Sequence, residues 1–264
     1  MAGNEIVHLA IAPPDTCEAN LIKKVAAVVN KDLYETRLLL AGEIPRIIAH
    51  YHNMQTAESI AQSLRDLGLV AIVCKDSELR KPSQSFSAHT LEFGEGEVLF
   101  WDKGGRARRM GSRDVLLILK GRMQPYVEAE ATRTRMKFSL AATVVTGGIP
   151  IWRRVREKTR GLSFPAECFA RLYDQKSSEP SVEILQYHID YSFLEANVAP
   201  SSLANFNTVV TKLCEVFPQA VFDDRLMKPF GTDVPLTTAE DDLEINCKLI
   251  YLYHLAMRDS GPPA

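Results

Sequence analysis

The sequence predicts an α+β fold in two parts. A small α/β sandwich comes first, and a mixed unit with an antiparallel β-meander and C-terminal helices follows. Three observations carry that expectation. Apolar residues recur at helical spacing in three short stretches between Ala19 and Leu67. Short apolar runs of strand length flank and separate those stretches. From His89 onward the apolar period changes to two, in segments punctuated by glycine.

Ile6 to Ala12 supplies a first strand ahead of Pro13-Pro14. In Ala19–Val29, Leu21, Ile22, Val25, Val28 and Val29 fall on one helical stripe, with Lys23 and Lys24 off it. Asn30-Lys31-Asp32 interrupts the pattern, and Asp32 is placed to cap a second helix by accepting from the amide of Glu35. That helix carries Leu33, Arg37 and Leu40 and ends at Gly42. Pro45 excludes helix, so Arg46–His52 reads as a strand with Ile47, Ala49 and Tyr51 on one face. Thr56–Leu67 is a third helix closing at Gly68, and Val70–Cys74 is a buried strand. The order is strand, helix, helix, strand, helix, strand, with the helices expected over one face of the sheet.

At this point a family resemblance emerges. Leu21-Ile22-Lys23-Lys24-Val25, then Leu33-Tyr34-Glu35-Thr36-Arg37, Pro45, and the Ala57-Glu58 helix ending in Leu67-Gly68 follow one family's pattern in order. Residues 19–74 resemble the C-terminal domain of the bacterial ribosomal stalk protein. The resemblance implies that the first two helices dock protein factors through basic residues. Lys23 and Arg37 fall on such positions, and Lys24 adjoins them. Ala26 stands where the family has another basic residue, and Asn30-Lys31-Asp32 replaces a glycine-containing turn. The family's dimerising N-terminal segment and flexible hinge have no counterpart in this sequence. The resemblance suggests a shared module rather than a ribosomal protein.

The module is assigned to residues 1–80, and Asp76–Ser87, with Lys81-Pro82-Ser83, reads as a linker. The mixed unit is assigned to 85–264. Its meander, at 88–122, comprises Leu91 and Phe93, then Val98–Trp101, then Val115–Leu119 as third strand. The strand and helical part is placed at 130–260. Ser181–Leu194 alternates as a long strand, with Leu185, Tyr187, Ile189, Tyr191 and Phe193 on one face. Pro200–Phe217 is a helix with Leu203, Phe206, Val209, Val210 and Leu213 inward. Thr237-Thr238 followed by Glu240, Asp241 and Asp242 signals the start of a last helix reaching about Arg258.

A chain of 264 residues with 46% hydrophobic and 24% charged residues has the composition of a globular protein with room for two cores. Its five cysteines, without a close pair, argue against a disulfide framework or structural zinc and favour a reducing cytoplasm. No signal-peptide pattern opens the sequence, and the weakly polar run Phe138–Trp152 is too short to span a bilayer. The formal net charge of −2 conceals three blocks. Residues 1–100 carry 9 basic against 13 acidic side chains (−4), 101–171 carry 16 against 6 (+10), and 172–264 carry 6 against 14 (−8).

The middle block is the densest candidate site. Arg106, Arg108, Arg109 and Arg113 flank a turn, Arg133, Arg135 and Lys137 alternate on an extended segment, and Arg153, Arg154, Arg156, Lys158 and Arg160 follow Trp152. Arginine predominates, which suits bidentate contact with phosphate or carboxylate. The block can meet nucleic acid or anionic lipid, or pair with acidic surface of the same chain or of a second copy. Few aromatics accompany it, which disfavours binding single strands by stacking.

Other groupings have plainer accounts. His50 and His52 lack a third ligand, Asp223-Asp224 and Glu240–Glu244 read as solvated or helix-starting acids, and the Gly104-Gly105 and Gly147-Gly148 pairs lack a phosphate-loop context. His188 and Asp190, on one predicted strand face, would join Asp223 in a dispersed catalytic site, but no local signature around Ser163 or Cys168 supports one. No catalytic residue, cofactor or metal is assigned. The sequence points to a non-enzymatic cytoplasmic adaptor or regulatory protein with a protein partner at Lys23, Lys24 and Arg37, and to polyanion binding through 106–160 as the alternative.

Overall fold

In the computed structural model, residues 5–14, 16–123, 129–138, 152–161, 166–227 and 239–260 are described. The fold is α+β. Its contacts separate a main unit, Met1–Met123 with Glu167–Ala264, from a second unit, Gln124–Ala166.

The main unit opens with a three-stranded antiparallel sheet in the order β2-β1-β3, formed by β1 (Val7–Ile11), β2 (Arg46–Tyr51) and β3 (Ala71–Lys75). Between the strands run α1 (Ala19–Val29), α2 (Leu33–Leu40) and α3 (Met54–Arg65). Each helix starts or stops where its side chains allow. Asn30 closes α1 in the left-handed conformation that asparagine tolerates. Asp32 accepts from the Glu35 amide at 2.7 Å, and Asn53 caps α3 by accepting from Gln55 and Thr56. Gly68, three residues past the end of α3, takes a φ of +82°, where a Cβ would be disfavoured. The three helices cover one sheet face, where Leu9, Ile11, Val25, Val29, Leu40, Ile48, Ala61 and Leu64 pack together.

The facing of β2 differs from expectation at one residue. A bulge between Leu9 and Ala10 inserts an extra residue in β2, so Leu9 pairs with Ala49 but Ala10 with Ile47. Ile48 therefore joins the helix-side core, and Ile47 packs on the opposite side with Ala10 and Ile72. A one-residue insertion flips alternation, and apolar content alone does not reveal it.

After a short α4 (Asp76–Leu79), β4 (Phe86–Ala88) enters a five-stranded sheet ordered β13-β8-β11-β12-β4. Its other strands are β8 (Val115–Met123), β11 (Glu167–Asp174), β12 (Val182–Leu185) and β13 (Val221–Leu226). The meander is a separate three-stranded sheet of β5 (Thr90–Gly94), β6 (Glu97–Trp101) and β7 (Ala107–Gly111). Its third strand is thus the arginine-bearing β7, not Val115–Leu119. β7 buries only Met110, whereas Val115–Leu119 is buried throughout and belongs inside the larger sheet.

The long strand expected over Ser181–Leu194 stops at Leu185. His188 lies in a turn, its amide bonded to the Leu185 carbonyl, and Asp190 caps a 3-10 segment, Tyr191–Asn197, by accepting from the Ser192 amide at 3.0 Å. Of the alternating residues Ile189, Tyr191 and Phe193 still pack on the core, together with Leu194, but from a turn and a 3-10 segment. Tyr187 is 51% exposed because the strand has already ended before it. That core lies between the meander, the five-stranded sheet and α5 (Ser202–Val216), whose Phe206, Val209, Val210 and Leu213 are buried, while Leu203 is exposed.

The last helix, α6 (Ala239–Ser260), joins the two sheets. Cys247, Ile250 and Tyr251 pack against Leu117, Leu119, Phe169 and Tyr173 of the five-stranded sheet. Leu249 packs with Ala10, Ile72 and Cys74 on the face of the N-terminal sheet that the first three helices leave bare. Lys248, itself buried, donates to the carbonyls of Glu78 and Leu79 at 3.1 Å and to that of Lys81, so it serves the C-terminal end of α4. Thr237-Thr238 lies outside the described residues. No helix among the described residues is long and apolar enough to cross a membrane.

The second unit contains one antiparallel ribbon, β9 (Ala129–Phe138) against β10 (Trp152–Gly161).

Candidate interaction surfaces

α2 buries only Thr36 and Leu40. Leu33, Tyr34 and Leu38 on the same helix are 51%, 75% and 51% exposed. Tyr34 and Leu38 are four residues apart, as are Leu33 and Arg37, so each pair meets on the helix surface. Lys23 and Lys24 are exposed on α1, and Arg37 is exposed on α2. Among the described residues none of these three cations forms an ion pair, whereas Lys31 is held by Glu35. A shallow cleft of about 340 Å³, lined by Thr16, Glu18, Leu21, Lys24, Asp66 and Leu67, adjoins α1. α2 thus combines an apolar ridge with the exposed charge of Arg37, and α1 exposes the charges of Lys23 and Lys24. The family resemblance brought out the cations; the apolar ridge was hidden because residue type alone does not tell exposed Leu33, Tyr34 and Leu38 from the buried Leu40 of the same helix.

The basic block divides. Arg106, Arg108 and Arg109 lie on or beside β7, each with a local partner: Asp102 at 2.6 Å for Arg106, the Ser181 carbonyl and the Phe86 ring for Arg108, and Glu97 at 3.3 Å for Arg109. Arg133, Arg135 and Lys137 stand on β9, and Arg153, Arg154 and Arg156 on β10. Arg153 is opposite Lys137, Val155 opposite Arg135 and Glu157 opposite Arg133.

A polar chain absent from the sequence reading crosses the N-terminal sheet. His8, 4% exposed, holds Asp76 Oδ1 with Nε2 at 2.7 Å and lies 2.8 Å from His50 Nδ1 through its own Nδ1. The carboxylate only accepts, so His8 donates to it from Nε2–H; between His8 and His50 one Nδ1 donates and the other accepts, and the tautomer sets which. Burial, and then His8 itself, lowers the His50 pKa, while the His8 hydrogen bond lowers that of Asp76. Directly opposite His8 on β3 is Cys74, whose thiol burial pushes up to about 12, so it is no nucleophile. A cross-strand register brings these groups together, and register is set by bulge and pairing, not by local spacing. His52, exposed beyond the end of β2, takes no part.

The dispersed catalytic grouping does not assemble. His188 lines an open cleft of about 480 Å³ with His89, Asp102, Lys103 and Arg106, and neither Asp190 nor Asp223 lines it. Asp223 is bound instead by His254 at 2.7 Å and by Arg225. Burial pushes its carboxyl up, but those hydrogen bonds outweigh burial and hold it well below the usual carboxylate range. Among the described residues no group of three or more His, Cys, Asp or Glu side chains is arranged to hold a metal. Ser163, Gly147-Gly148 and the side chains of Glu240, Asp241 and Asp242 lie outside the described residues. All five cysteines are free. No protein-family model, no curated protein and no solved structure matches the chain.

Proposed function

We propose that the chain is a non-enzymatic adaptor or regulatory protein that docks a partner protein on the α1–α2 surface. The observation that carries this reading is the exposure of Leu33, Tyr34 and Leu38 on one eight-residue helix that also exposes Arg37, with Lys23 and Lys24 exposed on the neighbouring α1. Exposed large apolar side chains clustered in one place mark interaction surfaces, whereas scattered ones do not. The charges select the partner's chemistry: an acidic segment with apolar anchors, such as an amphipathic helix. A symmetric contact with a second copy would bring like cations together and is disfavoured. The free thiols and the docking reading both suit a cytoplasmic setting.

Pulldown and cross-linking with the full chain test this. A partner lost from both Tyr34→Ala/Leu38→Ala and Lys23→Glu/Arg37→Glu, yet retained by Arg109→Ala, supports the reading. Each aromatic or apolar anchor should contribute about 2 kcal/mol if it is a hot spot. Partners unaffected by either double variant sink it.

A further inference from the structure

We infer that the β9–β10 ribbon is a binding element for the backbone of double-stranded DNA, independent of the α1–α2 surface. The argument starts from register. Residues directly opposite in an antiparallel pair share a face, and alternate residues change face. One face therefore receives Arg133, Arg135, Lys137 and Arg153, and the other Arg154, Arg156, Lys158 and Arg160. Each face has one acidic residue, Glu157 on the first and Glu130 on the second. Eight cations less two carboxylates leave a net charge of +6 on two ten-residue strands, equally shared.

Two features select duplex DNA among polyanions. An element that lies on a lipid surface needs one apolar face to insert. Here both faces are cationic, and the large apolar residues Phe138, Trp152 and Met136 are confined to one end of the ribbon. A ten-residue strand spans about 33 Å, close to one turn of B-form duplex, and the DNA major groove admits a two-stranded ribbon. The major groove of duplex RNA is too deep and narrow for that entry. Six of the eight cations are arginine, the side chain matched to phosphate oxygens. Among the described residues four carboxylates of the acidic block are already engaged: Glu183 and Glu244 with Arg171, Asp223 with Arg225 and Glu179 with Lys81.

The test is a fluorescence titration of the full chain with a labelled mixed-sequence DNA duplex at several salt concentrations between 50 and 200 mM. Arg153→Gln/Arg154→Gln/Arg156→Gln and the matching triple Arg→Lys variant are compared, with circular dichroism verifying that each is folded. If six phosphates are neutralised, the slope of log K against log salt is about −5, and affinity falls about 10³-fold over that fourfold change in salt. The glutamine variant should flatten the slope by about 3, while the lysine variant keeps it. Duplex RNA should bind more weakly, and a scrambled DNA sequence equally well. No binding at 50 mM salt, or an unchanged slope in the glutamine variant, overturns the proposal. Retention by anionic vesicles without DNA binding also overturns it and assigns the ribbon to lipid.

Discussion

Gly121 gives the most direct test of the packing described above. It lies opposite Phe169 on β11 and beside Leu226 on β13, in the middle of the five-stranded sheet. A Cβ at this position would sit 2.3 Å from Phe169 Cζ, 2.5 Å from its Cε1 and 3.0 Å from Leu226 Cβ. Carbon atoms in good contact are about 3.5–4.0 Å apart, so the overlap with the ring exceeds an ångström. The ring has nowhere to go. It is fully buried with Leu117, Tyr173 and Ile250, and the Arg171 guanidinium lies 5.2 Å from its centroid. Overpacking of this kind costs about 3 kcal/mol, offset by up to about 1 kcal/mol because alanine restricts the unfolded chain. Gly121→Ala should therefore lose about 2 kcal/mol in urea unfolding and lower Tm by about 4–8 °C. Phe169→Leu, destabilising alone because it leaves a cavity, should relieve the clash, with a favourable coupling of about 1–2 kcal/mol in the double variant. A Gly121→Ala protein with unchanged Tm, or strictly additive costs in the cycle, would refute the assignment of the clash to Phe169.

Lys248→Met retains the length of the buried side chain but strips the carbonyls of Glu78, Leu79 and Lys81 of their donor. The expected loss is about 3 kcal/mol, with faster amide exchange confined to the α4 region; exchange unchanged there would contradict the role. Asp223 predicts a pH dependence. Its folded pKa is depressed below the unfolded value of about 3.9, so its stabilisation is complete at neutral pH and is lost as pH falls through the folded value. Asp223→Asn should cost about 3 kcal/mol at pH 7, and the difference from the unmodified chain should narrow below about pH 4. A difference that does not change with pH would show that the His254 and Arg225 contacts do not depend on the carboxylate's charge.

The first part of the chain was legible because its signals are local. The helical stripe of α1, the Asp32 cap and Gly68 each act within a few residues, and each is found where the sequence places it. β11 escaped notice for the opposite reason. It is buried on both faces, so it does not alternate, and Glu167 and Arg171 break its apolar run. Those charges are tolerated because distant groups meet them: Arg171 binds Glu183 and Glu244, and Glu167 accepts from the Tyr187 amide at 2.9 Å. β7 was obscured because only Met110 is buried, and β13 because its Asp223 and Arg225 satisfy each other. The candidate surfaces follow the same division. The cations are visible in the sequence, but the availability of Leu33, Tyr34 and Leu38 is a property of packing.

That availability follows from where α6 goes. The N-terminal sheet has two faces to cover, and α1 to α3 cover one. In a free-standing module the second face, with Ala10, Ile47, Ile72 and Cys74, would be the adhesive one. Here α6 occupies it through Ile245, Leu249, Leu252 and Tyr253. The same helix fills the five-stranded sheet through Cys247, Ile250 and Tyr251. With its sheet satisfied inside the chain, the module turns outward only the helix side. There α2 keeps an apolar ridge that its two buried residues, Thr36 and Leu40, do nothing to hide. An apolar ridge left open while both faces of the sheet beneath it are covered is what the proposed docking surface requires, and it is why that proposal is placed on α2 rather than on the sheet.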